Sequence, residues 1–201
     1  RDKFFSLQLL LKTGLNIPVS GIANSHIETE DLIEMVNGAP MVIKPVTRAQ
    51  GRGMVLAETR KASESAISAF KSMSSNLLVQ EYIKEAEGAD LRLFVVDGKV
   101  VTAMQRKAVR VNTKTDTRRG RTCSITKVSA AERQLAVKAC KIMGLKVAGV
   151  DIIRSQRGPL LLSVKSSPNL EDIEETTGKD LAGAMISALE KGMHWTRPLS
   201  K

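Results

Sequence analysis

Leu91-Arg92-Leu93-Phe94-Val95-Val96-Asp97-Gly98-Lys99-Val100-Val101-Thr102-Ala103-Met104 is the stretch that decides the fold. Two runs rich in apolar residues, Leu91 to Val96 and Lys99 to Met104, flank Asp97-Gly98. Both turn residues tolerate positive φ, as a tight two-residue hairpin turn requires. A second hairpin is expected where Val147 to Ile153 and Leu160 to Val164 flank Gln156-Arg157-Gly158. Helical patterns alternate with such strand pairs. The chain therefore reads as α+β with antiparallel sheets, not as a doubly wound parallel sheet.

Outward from the hairpin, the remaining elements follow from periodicity and end signals. Ser129 and Glu132 form a capping box that opens a helix running to Gly144. Asp180 to Lys191 reads as a terminal helix. On the N-terminal side, Leu77-Leu78-Val79 is a short strand, and Ala62, Ala66, Ile67, Phe70 and Met73 share one helical face. Met41-Val42-Ile43 is a buried strand that delivers Lys44, and Gly53 to Ala57 returns from it. Residues 29 to 37 form a short helix with Glu28, Glu30 and Asp31 at its start, where the helix dipole favours negative charge. Ile17-Pro18-Val19 begins an extended segment, and residues 4 to 12 form a helix stopped by Gly14. A boundary near residue 75 divides a small lobe, 1–75, from a larger one, 76–201.

At 201 residues, the chain is long enough for a sizeable core. No apolar run is long enough to span a bilayer, and there is no signal-peptide pattern, so no membrane partner is expected. The chain opens at Arg1-Asp2-Lys3 without Met and is read as a fragment or processed form. Cys123 and Cys140 have no metal-type spacing, and a reducing intracellular compartment is expected, bacterial cytoplasm or mitochondrial matrix. A formal net charge of +10 favours anionic partners, although a basic protein without such a partner fits the charge equally well. Aromatic residues make up only 3%, which argues against a base-stacking platform. Any RNA contact would then go to phosphate and shape.

Lys44 at a strand end beside Gln50-Gly51-Arg52-Gly53 makes a phosphate clamp. Lysine supplies a point charge, and glycines let backbone N–H groups approach phosphate oxygens. The loop alone lacks the ending of a P-loop and the spacing of a dinucleotide fingerprint, and reads as well as a ligand-free turn. Lys3 alone is a surface lysine, Asp90 alone a strand-start cap, and Glu81-Tyr82 alone a strand end.

The order of the segments is more specific. Arg1-Asp2-Lys3, Ile43-Lys44-Pro45, the glycine loop, Val79-Gln80-Glu81-Tyr82-Ile83, Asp90-Leu91-Arg92 and Ala148-Gly149-Val150-Asp151 follow one another. With Arg157-Gly158-Pro159-Leu160 and Thr176-Thr177-Gly178, this order resembles the ATP-grasp superfamily across essentially the whole chain. It is similar to the RimK type, ligases that add glutamate to the C terminus of a small-subunit ribosomal protein and usually carry a further N-terminal domain. The resemblance implies two α+β lobes with antiparallel sheets enclosing a nucleotide cleft. It implies that Lys3 and Lys44 touch ATP phosphates and that Gln50, Gly51 and Gly53 close over them. Glu81 and Tyr82 would hold adenine, partly through backbone groups, and Asp90 the ribose. Arg106 would stabilise the transferred phosphate or acyl phosphate, and Asp151 would bind Mg²⁺. The implied chemistry is phosphorylation of a carboxylate by ATP, then attack by an amine.

The chain departs from that pattern where the family has a Glu and, after one intervening residue, an Asn as metal ligands. Here those positions hold Ser163 and Lys165. Magnesium prefers hard oxygen ligands, and a charged lysine has no lone pair to offer. At ~4 Å a unit charge repels a like charge by about 4 kcal/mol at an effective dielectric near 20, and Mg²⁺ by twice that. Lys165 is therefore expected to replace one metal ion's charge. Gln105 stands where the family has an acid, and Lys114-Thr115-Asp116 where it has Arg-Ser-Asn. The stretch from Arg106 to Arg121 carries Lys107, Arg110, Lys114, Arg118 and Arg119 against Asp116 alone, which suits rRNA phosphates or an acidic protein tail. Two readings follow. One is a nucleotide-binding, weakly catalytic or non-catalytic module on the ribosome. The other is an active ATP-dependent ligase whose shifted Mg²⁺ site uses Asp116, Asp151 and Glu171.

Overall fold

The computed structural model describes residues 3–23, 27–46, 54–73, 76–108 and 121–192. The chain divides into two compact units, Arg1–Glu87 and Gly88–Lys201. The division falls after Glu87 and not near 75, because the strand Leu77–Glu81 pairs inside the first sheet.

The first unit contains α1 (Lys3–Lys12), β1 (Ser20–Ala23), α2 (Thr29–Met35), β2 (Met41–Pro45), β3 (Val55–Ala57), α3 (Arg60–Ser72) and β4 (Leu77–Glu81). Its sheet has the order β1-β4-β2-β3, with every neighbouring pair antiparallel. Side chains alternate across a strand, so Met41, Ile43, Ala57, Leu77 and Val79 point to one face. There they form a core with Leu32, Ile33 and Val36 from the α2 region and Ile67 from α3. Burying each such Leu or Ile side chain stabilises the unit by roughly 1.5–3 kcal/mol before entropy is counted. The opposite face carries Val42, Lys44, Leu78 and Gln80, with Val42 opposite Gln80 and Lys44 opposite Leu78.

The second unit contains β5 (Ala89–Val96), β6 (Lys99–Ala108), β7 (Arg121–Ile125), α4 (Ala130–Ile142), β8 (Val147–Ser155), β9 (Gly158–Lys165), α5 (Glu171–Thr177) and α6 (Leu181–Gly192). The sheet order is β7-β6-β5-β8-β9, again with antiparallel neighbours. The expected hairpin is present, with Asp97 at φ 47° and Gly98 at φ 72° in its turn. The capping box of α4 is present too, and Glu132 also receives Arg154 of β8 at 2.6 Å, which clips the start of the helix to the sheet. β7 and α5 are additions to the elements read from sequence.

Parity divides this sheet into two chemistries. Leu91, Leu93, Val150 and Ile152 lie on one face and are fully buried or nearly so. Asp90, Arg92, Phe94, Met104, Arg106 and Asp151 lie on the other. At one end of that second face, Phe94, Val96 and Met104 pack with Ile173 of α5 and Leu181 of α6. The charged residues occupy its other end. No described helix is long and apolar enough to cross a membrane.

Candidate functional site

In the first unit, Lys44 Nζ donates to Gln80 Oε1 at 2.9 Å. Gln80 Nε2 donates to Ser20 Oγ at 2.9 Å, and the Ser20 hydroxyl donates to the Pro18 carbonyl at 2.7 Å. Strand pairing builds this relay: Ser20 lies opposite Gln80, and Lys44 lies one position diagonal to it. Gln80 is 3% exposed, so its amide is a buried polar group satisfied on both ends. Lys44 is half-buried beside it.

Glu81 is tied into the fold. Its N–H donates to the Val19 carbonyl at 2.9 Å, and its Oε1 accepts from the Val19 N–H at 2.7 Å. The Tyr82 N–H donates to the Pro40 carbonyl at 3.3 Å. The backbone N–H groups of Glu81 and Tyr82 thus serve the chain itself. Lys3 is the first residue of α1, and its side chain lies outside the described residues, as do Gln50, Gly51, Gly53 and Asp116.

The second unit gathers Asp90, Arg106 and Asp151, together with Ser163 and Lys165. Asp90 and Arg106 are cross-strand partners, and Arg106 grips Asp90 with two bonds of 2.7 Å each. Arg106 Nη2 also reaches Asp151 Oδ1 at 3.0 Å. Arg92, opposite Asp151 on the neighbouring strand, forks onto the same carboxylate, Nε to Oδ1 at 2.8 Å and Nη2 to Oδ2 at 3.0 Å. The Ser163 hydroxyl donates to Oδ2 at 2.9 Å, and Lys165 Nζ lies 3.4 Å from that oxygen.

A β-bulge makes the last two contacts. Ile152 pairs with Leu161, but Asp151 pairs with Ser163, so β9 carries one extra residue between them. Counting from the turn without the bulge, Leu162 would face Asp151. The inserted residue puts Ser163 there and brings Lys165 onto the same face, opposite Gly149. Gly149 in turn leaves room for Pro168: a Cβ at 149 would lie 2.7 Å from the proline's own Cβ.

The electrostatics follow from this packing. Burial alone would raise the Asp151 pKa. Hydrogen bonds from Arg92 and the charges of Arg106, Arg92 and Lys165 override that effect and hold it well below the usual carboxylate range. Burial opposes the charge of Arg106 as well, but Asp90 and Asp151 outweigh it and raise its pKa. Lys165 is lowered: burial and repulsion from Arg92 and Arg106 exceed the attraction of Asp151.

Magnesium does not fit this donor set. A carboxylate offers about four lone-pair directions, and five donor atoms already point at Asp151. Asp90, the other carboxylate of the cluster, is gripped by Arg106. Three cations against two carboxylates leave the cluster net positive. Among the described residues, no three His, Cys, Asp or Glu side chains are grouped to hold a metal ion. Glu171, the third member of the expected shifted site, is exposed at the start of α5.

A family model for the RimK-like ATP-grasp domain matches residues 1–189. The chain belongs to the RimK-like ATP-grasp family. It is 61% identical over 195 residues to a probable alpha-L-glutamate ligase of Shewanella halifaxensis (strain HAW-EB4), covering 97% of this chain and 43% of that relative. It is 53% identical over 203 residues to a probable alpha-L-glutamate ligase of Stutzerimonas stutzeri (strain A1501), covering 100% of this chain and 67% of the relative. The chain thus spans less than half the length of some of its most similar relatives, 43% in the Shewanella case. These relatives are bacterial, which lends the mitochondrial alternative no support. The ATP-grasp fold recurs in the ligase PsnB complexed with minimal precursor, Mg and ADP, with a TM-score of 0.73 and 23% identity over 94% of this chain and 58% of that one. It recurs in D-alanine–D-alanine ligase from Bacillus anthracis, with a TM-score of 0.75 and 16% identity over 94% of this chain and 66% of that one. The α+β ATP-grasp expectation therefore holds.

Arg92 and Gln80 were given no role from sequence. Alternation carried a signal for Arg92, since a charged residue two positions after Asp90 in an apolar strand must share its face. The Gln80 relay required strand pairing to β1, which no local pattern announces.

Proposed function

We propose that this domain is a nucleotide-binding RimK-like ATP-grasp module whose metal chemistry has lapsed, so that it holds ATP without efficient phosphoryl transfer. The observation that carries this reading is the Asp151 carboxylate, ringed by Arg92, Arg106, Ser163 and Lys165. In this reading Lys44 takes the nucleotide phosphates. The Lys165 ammonium supplies positive charge where relatives in the family would place a metal ion. The module acts in a bacterial cytoplasm and engages the ribosome through the basic stretch between Arg106 and Arg121, by salt-sensitive phosphate contacts.

A second reading is an active carboxylate–amine ligase that adds glutamate to an acidic ribosomal-protein tail. The names of its relatives, probable alpha-L-glutamate ligases at 61% and 53% identity, favour it.

One experiment separates the two. Phosphate release from ATP is measured with Mg²⁺ and glutamate, for the chain as it stands and for Ser163→Glu with Lys165→Asn. The lapsed module gives a negligible rate that rises in the double variant. A substantial Mg²⁺-dependent rate that falls in the double variant establishes the ligase.

A further inference from the structure

We infer that Gln80 is a positioning residue for the Lys44 ammonium, and that through Lys44 it decides how strongly this domain grips nucleotide phosphates as opposed to the nucleoside. The inference rests on the reading of Lys44 as the phosphate contact and goes beyond it to the residue that aims the lysine.

Gln80 is almost fully buried on the sheet face that carries Lys44, where an unsatisfied amide would be costly. Both ends of that amide have partners. Nε2 can only donate, and it faces Ser20 Oγ at 2.9 Å. Ser20's own proton goes to the Pro18 carbonyl at 2.7 Å, so its oxygen is left to accept. This fixes the amide in one orientation and turns Oε1 toward Lys44, where it accepts at 2.9 Å. A hydroxyl on β1 thus sets the direction of an amide on β4, which sets the position of an ammonium on β2.

The chemical type of the acceptor matters. Lysine is a flexible four-carbon stem with three donors. A neutral amide uses one donor and fixes the stem without neutralising the charge. A carboxylate at position 80 would fix the stem equally well but would cancel the charge that phosphate requires. Gln80 therefore fixes the stem without itself offsetting the ammonium's charge.

The test is ATP and adenosine affinity by calorimetry for the unaltered chain, Gln80→Leu, Lys44→Met and the double variant, with thermal melting to confirm folding. Gln80→Leu is expected to weaken ATP binding about tenfold, the scale of one charge-assisted hydrogen bond. Adenosine affinity should stay within about twofold. In the Lys44→Met background, Gln80→Leu should have no further effect on ATP, because its action runs through the lysine. Ser20→Ala, which removes only the group that orients the amide, should weaken ATP binding in the same direction and more mildly. It serves as the test if Gln80→Leu fails to fold. Additive losses in the double variant, or equal losses of ATP and adenosine, would overturn the inference and leave Lys44's own role standing. A Lys44→Met chain that binds ATP unchanged would remove the nucleotide reading of Lys44 and this inference with it.

Discussion

Lys44 and Asp151 are charged residues on strands of two separate sheets, and the fold treats them in opposite ways. Lys44 is steadied by Gln80, a neutral amide, and its charge is not cancelled by that partner. Asp151 is surrounded by two arginines, a lysine and a hydroxyl, and its charge is more than matched. In the proposed reading, the first arrangement meets an anion from outside. The second is closed on itself. In that same reading, Ser163 and Lys165 leave the second sheet intact but put a closed ion cluster where family members would hold a metal ion.

If that contrast is right, removing a partner of Asp151 must cost more stability than removing Gln80 from Lys44. Arg92→Leu leaves a buried carboxylate short of its forked partner. It should lower unfolding free energy by about 1.5–3 kcal/mol, the scale of hydrogen bonds to a charged group, since Arg106, Lys165 and Ser163 still hold the carboxylate. Urea denaturation checks this, and Arg92→Leu with Asp151→Leu should recover much of the loss. A loss below about 1 kcal/mol for Arg92→Leu would mean that the cluster is loosely built and open to other ligands.

A smaller effect sharpens the same contrast through pH. The folded-state pKa of Asp151 is depressed, so its contribution to stability is complete above the unfolded value near ~3.9. That contribution is lost as pH falls from there toward the folded value, because the unfolded chain takes up the proton first. Stability measured from about pH 5 downward should fall more steeply for the unaltered chain than for Asp151→Asn. Parallel curves would show that Asp151 titrates normally in the folded state and is not gripped by its cations.

Much of the fold was legible because it rests on local signals. Asp97-Gly98 announced the hairpin, Ser129 with Glu132 the capped helix, and the spacing of Ala62, Ala66, Ile67 and Phe70 the helix that covers the first sheet. The short strand Arg121–Ile125 escaped, because Arg-Thr-Cys-Ser has no alternation and its pairing with β6 is long-range. The boundary escaped for the same kind of reason: Leu77–Glu81 belongs to the first unit by pairing, not by composition. In the candidate site, the oddity of Ser163 and Lys165 was visible as residue type. That they converge on Asp151 depends on the bulge at Leu162, where a single extra residue decides which side chain faces the carboxylate. Alternation puts Arg92 on the face of Asp90, but its fork onto Asp151 depends on the pairing of β5 with β8.

The smallest expected effect tests the central claim most directly. ATP affinity is measured by calorimetry with Mg²⁺ present and again after chelation. A face that holds Asp151 among Arg92, Arg106 and Lys165 predicts the same dissociation constant in both, within about twofold. Binding that requires Mg²⁺ and collapses on chelation would contradict it, and would mean that a metal ion finds ligands here after all.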